Sequence, residues 1–499
     1  MTQSTARAAL RTSAPVVIIE APAGCGKTHE AASLAVDLSS RLQTRQEILI
    51  LAHTNAAVQE FRARIRTAEV RARALTFDSF AFELVSMYAA PLGLPSPLRI
   101  DEASGVSFAA LAPKALELLR RAPSVSRALA QHYPFVVLDE HQDARAEQDA
   151  IARELAAHGS RLLRIFGDPM QAIFEQDSGV DWDGLRRAAD LYDELDEPRR
   201  WDSAPELGSW ILHARDALRN GGLLPLRARP ASVRFWPVAN LRDPPPQSEA
   251  VQPAVISPLY RLLDTLSGSL AVLVRYNKHA KGLRVATKGR VVINEGVELP
   301  LAYAAIEQAE LAVGSPRDMA LALLTLLGET STGFVKARLK SLHRCLTPSA
   351  CAFPKSAELH GLLILLARLY DSPDLPTWCA ILREIVISPP PWMRIHLPEN
   401  LRVLGRLQIA SNEPAVFALD RVVRHRKEAG FVPQRCVSTI HKVKGREFDH
   451  VIIPYCGRSS FPANAQGQRL LYVALSRARR TITLLVPAAN PSPLLGETR

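Results

Sequence analysis

Residues 16–28 read VVIIEAPAGCGKT. Val16 to Ile19 are β-branched and apolar without interruption, the pattern of a strand buried on both faces. Ala21 to Thr28 (APAGCGKT) turn the chain, and a helical pattern runs on from Thr28 to about Leu42. A strand–loop–helix unit of this kind binds phosphate through its backbone. Gly24 and Gly26 let successive N–H groups face one anion, Lys27 adds a point charge, and the helix N-terminus adds its dipole. The loop departs from G-x-x-x-x-G-K-[ST] at its first position, where Ala21 stands for Gly. A chance Gly-rich turn would account for neither the buried strand before it nor the helix after it. Ala21, Pro22, Ala23, Gly24, Cys25, Gly26, Lys27, Thr28 and His29 are therefore the candidates for holding ATP, with Thr28 as a ligand of Mg²⁺.

A second stretch, FVVLDEHQD at 135–143, places two carboxylates at the end of another apolar run. Buried carboxylates are expensive unless a cation or a substrate uses them. Asp139 is the second candidate ligand of Mg²⁺, and Glu140 the group that polarises an attacking water, with Gln142 close behind. The alternative is a helix N-cap, which Asp favours. That reading would leave Glu140 without a purpose beside a phosphate loop.

Further apolar runs at Ile48–Ala52, Leu162–Phe166 and Leu270–Val274 alternate with helical patterns, and strand character returns at Cys436–Ile440, Val451–Pro454 and Thr481–Val486. Continuous apolar strands separated by helices predict an α/β fold with parallel sheets covered on both faces. The stretches around 80–133 and 300–428 read as helical, and a new α/β unit is expected near Leu191. The expected division is 1–81 and 132–191 for a first lobe with a helical insertion at 82–131. The second lobe takes 192–288 and 431–499, with a mostly helical insertion at 289–430.

The 499 residues exceed one ordinary core. Lys and Arg number 61 against 50 Asp and Glu, a formal charge of +11, and most of the cations are Arg. That excess favours a polyanionic partner. No apolar run spans a bilayer, which excludes a membrane partner. The six cysteines form no C-x-x-C pair and no His cluster completes a zinc spacing, so the expectation is a cytoplasmic chain with reduced thiols.

DEHQD resembles the DExQD box of UvrD/Rep-type superfamily 1 helicases, and other matches follow in that family's order. LILAHTNAA (49–57) resembles the segment after the second strand, and LTFDSFA (75–81) the TFHSFA box, with Asp78 where His is usual. The resemblance implies that Thr54 and Asn55 meet the DNA backbone, with Thr76 and Phe77 also on the DNA side. GDPMQAIF (167–174) resembles GDxxQSIY, which implies that Gln171 senses the γ-phosphate. LDEPRR (195–200) resembles the box ending in a nucleotide-binding Arg, here Arg200; a solvated basic turn is its alternative. STIHKVKGREF (438–448) resembles TxHxxKGLEF, which implies His441 and Lys444 near the surface that couples DNA to ATP, and Glu447 near the ribose or phosphates. RLLYVALSRAR (469–479) resembles the last box, with Arg477 as a second arginine finger.

The family implies two RecA-like P-loop lobes, each with a helical insertion, and 3′-to-5′ movement on single-stranded DNA or tailed duplex driven by ATP and Mg²⁺. Small chains of this type resemble the helicase subunit of Gabija-type antiviral systems, which implies a nuclease/ATPase partner and, as an alternative function, a regulatory DNA- and ATP-binding subunit. The departures concern base contacts. No Gln reading adenine is placed. Arg199 stands where an aromatic is usual, with Trp201 as a substitute. His53 replaces a common Phe, and EQDSG (175–179) replaces an RWRG stretch. His53, Phe174 and Trp182 are the remaining candidates for stacking on bases.

Overall fold

Six parallel strands form the first sheet: β1 (Val16–Glu20), β2 (Ile48–Ala52), β3 (Ala72–Thr76), β4 (Phe135–Leu138), β5 (Leu162–Gly167) and β6 (Leu191–Glu194), in the order β3-β2-β4-β5-β1-β6. The computed structural model describes residues 3–96, 98, 107–157, 162–174, 179–293, 300–354, 357–395, 398–409, 414–428 and 433–496. The strands legible as apolar runs are the interior ones: β2, β4 and β5 are buried along their whole length. Edge strands β3 and β6 are largely half-exposed, which is why their composition does not announce them.

β6 corrects one expectation. Leu191 opens no new unit, because Leu191–Glu194 pair in parallel with Val17–Glu20 and complete the first sheet. A short, half-polar strand carries no mark of which sheet it will join.

The helix after the phosphate loop runs Lys27–Ser39, three residues short of the expected end, and buries Ala31, Leu34, Ala35 and Leu38 on one stripe. On the other face, helices Phe77–Met87, Phe108–Arg121 and Pro123–His132 cover the sheet. Phe80, Leu84, Leu111, Ala115 and Leu119 share one core with Ile18, Leu49, Val136 and Ile165. Among the described residues, the expected insertion at 82–131 is thus a covering layer of the first sheet rather than a body with its own core.

By compactness the chain divides into Met1–His279 with Thr439–Arg499, and Ala280–Ser438. The first unit also holds a second parallel sheet, in which Val233–Val238, Ala478–Pro487, Phe448–Ile453 and Leu270–Val274 neighbour one another in that order. Val233–Val238 was not legible as a strand. It carries Pro237, which a sheet accepts at its edge.

The second unit is mainly helical. Its core draws on Ile306, Leu323, Leu327, Leu362, Leu366, Trp378, Leu382 and Leu419. It holds a short antiparallel pair, Ser331–Thr332 with Arg394–Ile395, and a parallel contact of Cys436 and Val437 with Val292 and Ile293.

Candidate active site

All of the first sheet's candidate groups lie at the carboxyl ends of its strands, where open α/β sheets place their ligands. After β1, Gly24 and Gly26 both adopt φ +79°, the left-handed region that glycine alone enters freely. Gly24 is doubly constrained, since a Cβ there would lie 2.6 Å from the ring of Trp201. Lys27 opens the following helix and is almost fully buried, with Nζ 2.7 Å from Glu140 Oε1. Thr28 is half-buried and His29 exposed.

Asp139 and Glu140 follow β4. Asp139 is 1% exposed and its Oδ1 has no hydrogen-bond partner. Burial, reinforced by the neighbouring Glu140 charge, pushes its carboxyl up to about 7. A buried carboxylate with an orphaned oxygen fits a divalent cation that would restore its charge, and magnesium needs only one or two protein ligands beside phosphate oxygens. Among the described residues no group of three or more His, Cys, Asp or Glu side chains could hold a metal by itself. Asp139 and Thr28 therefore fit Mg²⁺ carried in with a triphosphate. Glu140 has φ +52°, an uncommon conformation for a side-chain-bearing residue and a local strain of the kind found at functional sites. Burial pushes its carboxyl up, but the Lys27 and Lys444 ammonium charges override burial and hold it well below the usual carboxylate range.

From Glu140 a run of hydrogen bonds crosses to the second sheet's side. Gln142 Nε2 donates to Glu140, and Gln142 Oε1 accepts the Asp168 N–H at 3.0 Å. Gln171 Nε2 donates to Asp168 Oδ2 at 3.0 Å, and Gln171 Oε1 accepts from Arg477 Nη2 at 3.3 Å. Arg477 is fully buried. Burial first, and then the Arg200 charge, lower it to about 10. Arg200 pairs with Glu447 at 2.6 Å and donates to the Ser476 carbonyl, also at 2.6 Å. Burial raises the Glu447 carboxyl, yet Arg200 and Arg479 hold it low. Hydrogen bonds and ion pairs thus link Lys27, Glu140, Gln171 and Arg477 in one run, with Asp139 next to Glu140, and with Arg200, paired to Glu447, bonded like Arg477 to Ser476.

The candidates for nucleic-acid contact divide. Thr54 and Thr76 each cap a helix, accepting from Ala57 N at 3.1 Å and Ser79 N at 3.0 Å, and Asn55 is exposed beside the first of them. Phe174 is exposed, 5.8 Å from the His441 ring. Burial lowers His441. His53 stacks on Phe77 at 4.9 Å, and burial, followed by the His141 charge, lowers it to about 3, so the ring is neutral.

Four expectations are corrected. Phe77 is 2% exposed and belongs to the first sheet's core, so its ring cannot reach a base. Trp182 is buried against Gly167. Trp201 is fully buried over Gly24 with its indole N–H on the Ala478 carbonyl at 2.6 Å, so it packs the loop rather than stacking on a nucleobase. Lys444 faces inward: Nζ is 2.6 Å from both Asp143 oxygens and donates to the Gln171 carbonyl at 2.5 Å. In each case the side chain finds an interior partner that linear sequence does not display. Of the segment 175–179 only Gly179 lies within the described residues.

Sequence reading had assigned no role to Asp143 or Asp168. Both sit inside quoted boxes, but only the fold reveals their partners. Arg199, noted only as a departure, lies 3.1 Å from where a Cβ on Gly26 would stand and pairs with Glu30 at 3.3 Å.

Residues 1–106 and 98–178 match the model of the UvrD/REP helicase N-terminal domain, and residues 435–485 match that of the UvrD-like helicase C-terminal domain. Lys27 through Gln171 fall in the first match and His441 through Arg477 in the second, while Arg200 lies outside both. No curated protein matches the chain.

Proposed function

We propose, from the matches to the UvrD/REP helicase N-terminal and UvrD-like C-terminal domain models, that the chain is a superfamily 1 type ATP-dependent motor that moves 3′ to 5′ on single-stranded DNA. The observation carrying this reading is the unbroken run from Lys27 through Glu140, Gln142, Asp168 and Gln171 to Arg477, which joins a phosphate loop to the second sheet's side. The triphosphate lies along Ala21–His29, and Lys27 leaves Glu140 for the β- and γ-phosphates. Thr28 and Asp139 would hold Mg²⁺, which would neutralise phosphate charge. Release from Lys27 removes the larger of the two ammonium influences that depress Glu140, so the carboxylate becomes a better proton acceptor as the attacking water arrives beside it. Gln171 reads the γ-phosphate, while Arg200 and Arg477 supply charge as the phosphoryl group transfers. Glu447 is then the resting partner that Arg200 exchanges for phosphate.

The DNA path uses Thr54, Asn55, Thr76, His53, Phe174 and His441. The first lobe comprises the β1–β6 sheet with its covering helices, the second lobe the second sheet, and the second lobe's insertion the helical unit. No described helix is long and apolar enough to cross a membrane, and we place the protein in the cytoplasm.

ATPase activity with and without single-stranded DNA tests the reading. A large stimulation is expected, abolished in Lys27→Ala and Glu140→Gln, and wild-type turnover indifferent to any nucleic acid would sink it. A second reading is a regulatory subunit of a nuclease complex, as in Gabija-type defence, with little unwinding of its own. It is favoured by the covering-layer role of the helices at 77–132, which leaves no separate insertion body on the first lobe among the described residues. Efficient strand separation on a 3′-tailed duplex by the isolated chain would rule it out.

A further inference from the structure

Asp168, one link of the run just described, also belongs to a buried ionic cluster whose other members the proposed chemistry does not use. Glu20, Glu194 and Asp168 stand at or just beyond the ends of the adjacent strands β1, β6 and β5, with Glu20 in register beside both Gly167 and Glu194. One side chain gathers all three. Arg215, 1% exposed on helix Pro205–Arg219, pairs with Glu20, with Asp168 Oδ1 at 3.1 Å and with Glu194 at 2.7 Å. Glu20 is also held by Arg219 at 2.6 Å and by the Tyr192 hydroxyl.

The other oxygen of Asp168 belongs to a different element. Tyr472, buried on helix Ala465–Leu475, donates its hydroxyl to Asp168 Oδ2 at 3.2 Å and accepts the N–H of Ala23 at 2.8 Å. That same Oδ2 accepts from Gln171. The phenol therefore stands between the phosphate loop's backbone and the carboxylate that holds Gln171. Burial, and then the Asp168 charge, raise the phenol well above its ordinary value, so it remains a donor.

Truncating one partner of such a buried cluster strands the others, so its members hold a single arrangement. A hydroxyl that both donates and accepts has no second geometry that satisfies both partners. The loop at Ala23 and the carboxylate of Asp168 thus share one hydroxyl, and Asp168 in turn holds Gln171, whose carbonyl accepts from Lys444.

We propose that Tyr472 and Arg215 are positioning residues that tie the phosphate loop to Gln171, so that the nucleotide's state reaches the nucleic-acid side through Asp168. The inference rests on the motor reading above. Its predicted signature is loss of coupling rather than loss of turnover.

The test is the ratio of ATPase rates with and without single-stranded DNA on the full chain. A folding defect lowers both rates together and leaves the ratio unchanged. Tyr472→Phe keeps the ring and removes the bridge. It should lower the ratio about 5–10-fold, the worth of one hydrogen bond between buried groups, with KM for ATP within about twofold. Arg215→Met should lower the ratio similarly, and Arg215→Lys should restore part of it. A Tyr472→Phe ratio within about twofold of wild type overturns this inference alone. A wild-type ratio of one removes the motor reading and this inference with it.

Discussion

Lys444 Nζ lies 2.6 Å from each carboxylate oxygen of Asp143, both side chains nearly excluded from solvent. A cation that the family resemblance places near the surface coupling DNA to ATP is committed to a buried pair. Burial pushes the Asp143 carboxyl up even with the Lys444 ammonium against it. The pair thus joins the end of the DEHQD segment to the loop after the strand Arg435–Thr439.

Breaking that pair from one side should be more harmful than removing it. Lys444→Ala leaves a buried carboxylate uncompensated, with an expected loss of about 3–5 kcal/mol. Adding Asp143→Asn should recover most of it. Thermal unfolding of the two single variants and the double variant measures the coupling. Additive losses would show that the pair contributes nothing beyond its separate members.

Asp139 makes metal-free stability depend on pH. The folded protein keeps this carboxyl protonated up to about 7, whereas the unfolded chain ionises it near 3.8. Between those values the folded state binds the extra proton, so this group's contribution to stability falls as pH rises. Asp139→Asn should therefore stabilise the metal-free protein at pH 8 by on the order of 1 kcal/mol, a gain that disappears toward pH 4. Mg²⁺ should reverse the order by stabilising the wild type alone. Melting curves across pH, with and without Mg²⁺, check both, and a pH-independent difference would reject the assignment of the proton to Asp139.

Phe77 and Phe174 should separate stability from nucleic-acid affinity. Phe77→Ala empties a core position and should cost about 3–5 kcal/mol of folding stability. Phe174→Ala touches an exposed ring and should leave the melting temperature alone while weakening single-stranded DNA binding by about 1–3 kcal/mol. Fluorescence anisotropy with a labelled oligonucleotide, beside a thermal melt, reads the two effects. Unchanged affinity in Phe174→Ala would remove that ring from the DNA path.

Gly24→Ala should lose nucleotide binding through two independent faults. Its φ of +79° disfavours any side chain, and the added Cβ would meet Trp201 at 2.6 Å. Trp201→Leu opens space but leaves the conformation strained, so it should rescue Gly24→Ala only in part. Complete rescue, measured by titration with a fluorescent ATP analogue, would show that the clash alone mattered.

What the linear sequence determined here is local. VVIIE, ILILA, FVVL and LAVLV are strands because a continuous β-branched or aliphatic run satisfies a strand buried on both faces. Gly24, Gly26 and Lys27 form a phosphate loop because backbone freedom, charge and a helix start are contiguous. The tertiary structure alone decided how half-polar and long-range elements are used. β6 joins the first sheet, Val233–Val238 borders the second, and helices expected as an insertion cover the first. Trp182, Trp201, Phe77 and Lys444 turn inward to partners from 15 to 301 positions away. The physical reason is that periodicity reports which face of an element avoids water, whereas the partner of a buried charge or ring is set by chain crossings that no local pattern encodes. Tyr472 shows this most plainly: one hydroxyl joins Ala23 to Asp168 across 449 and 304 residues of chain.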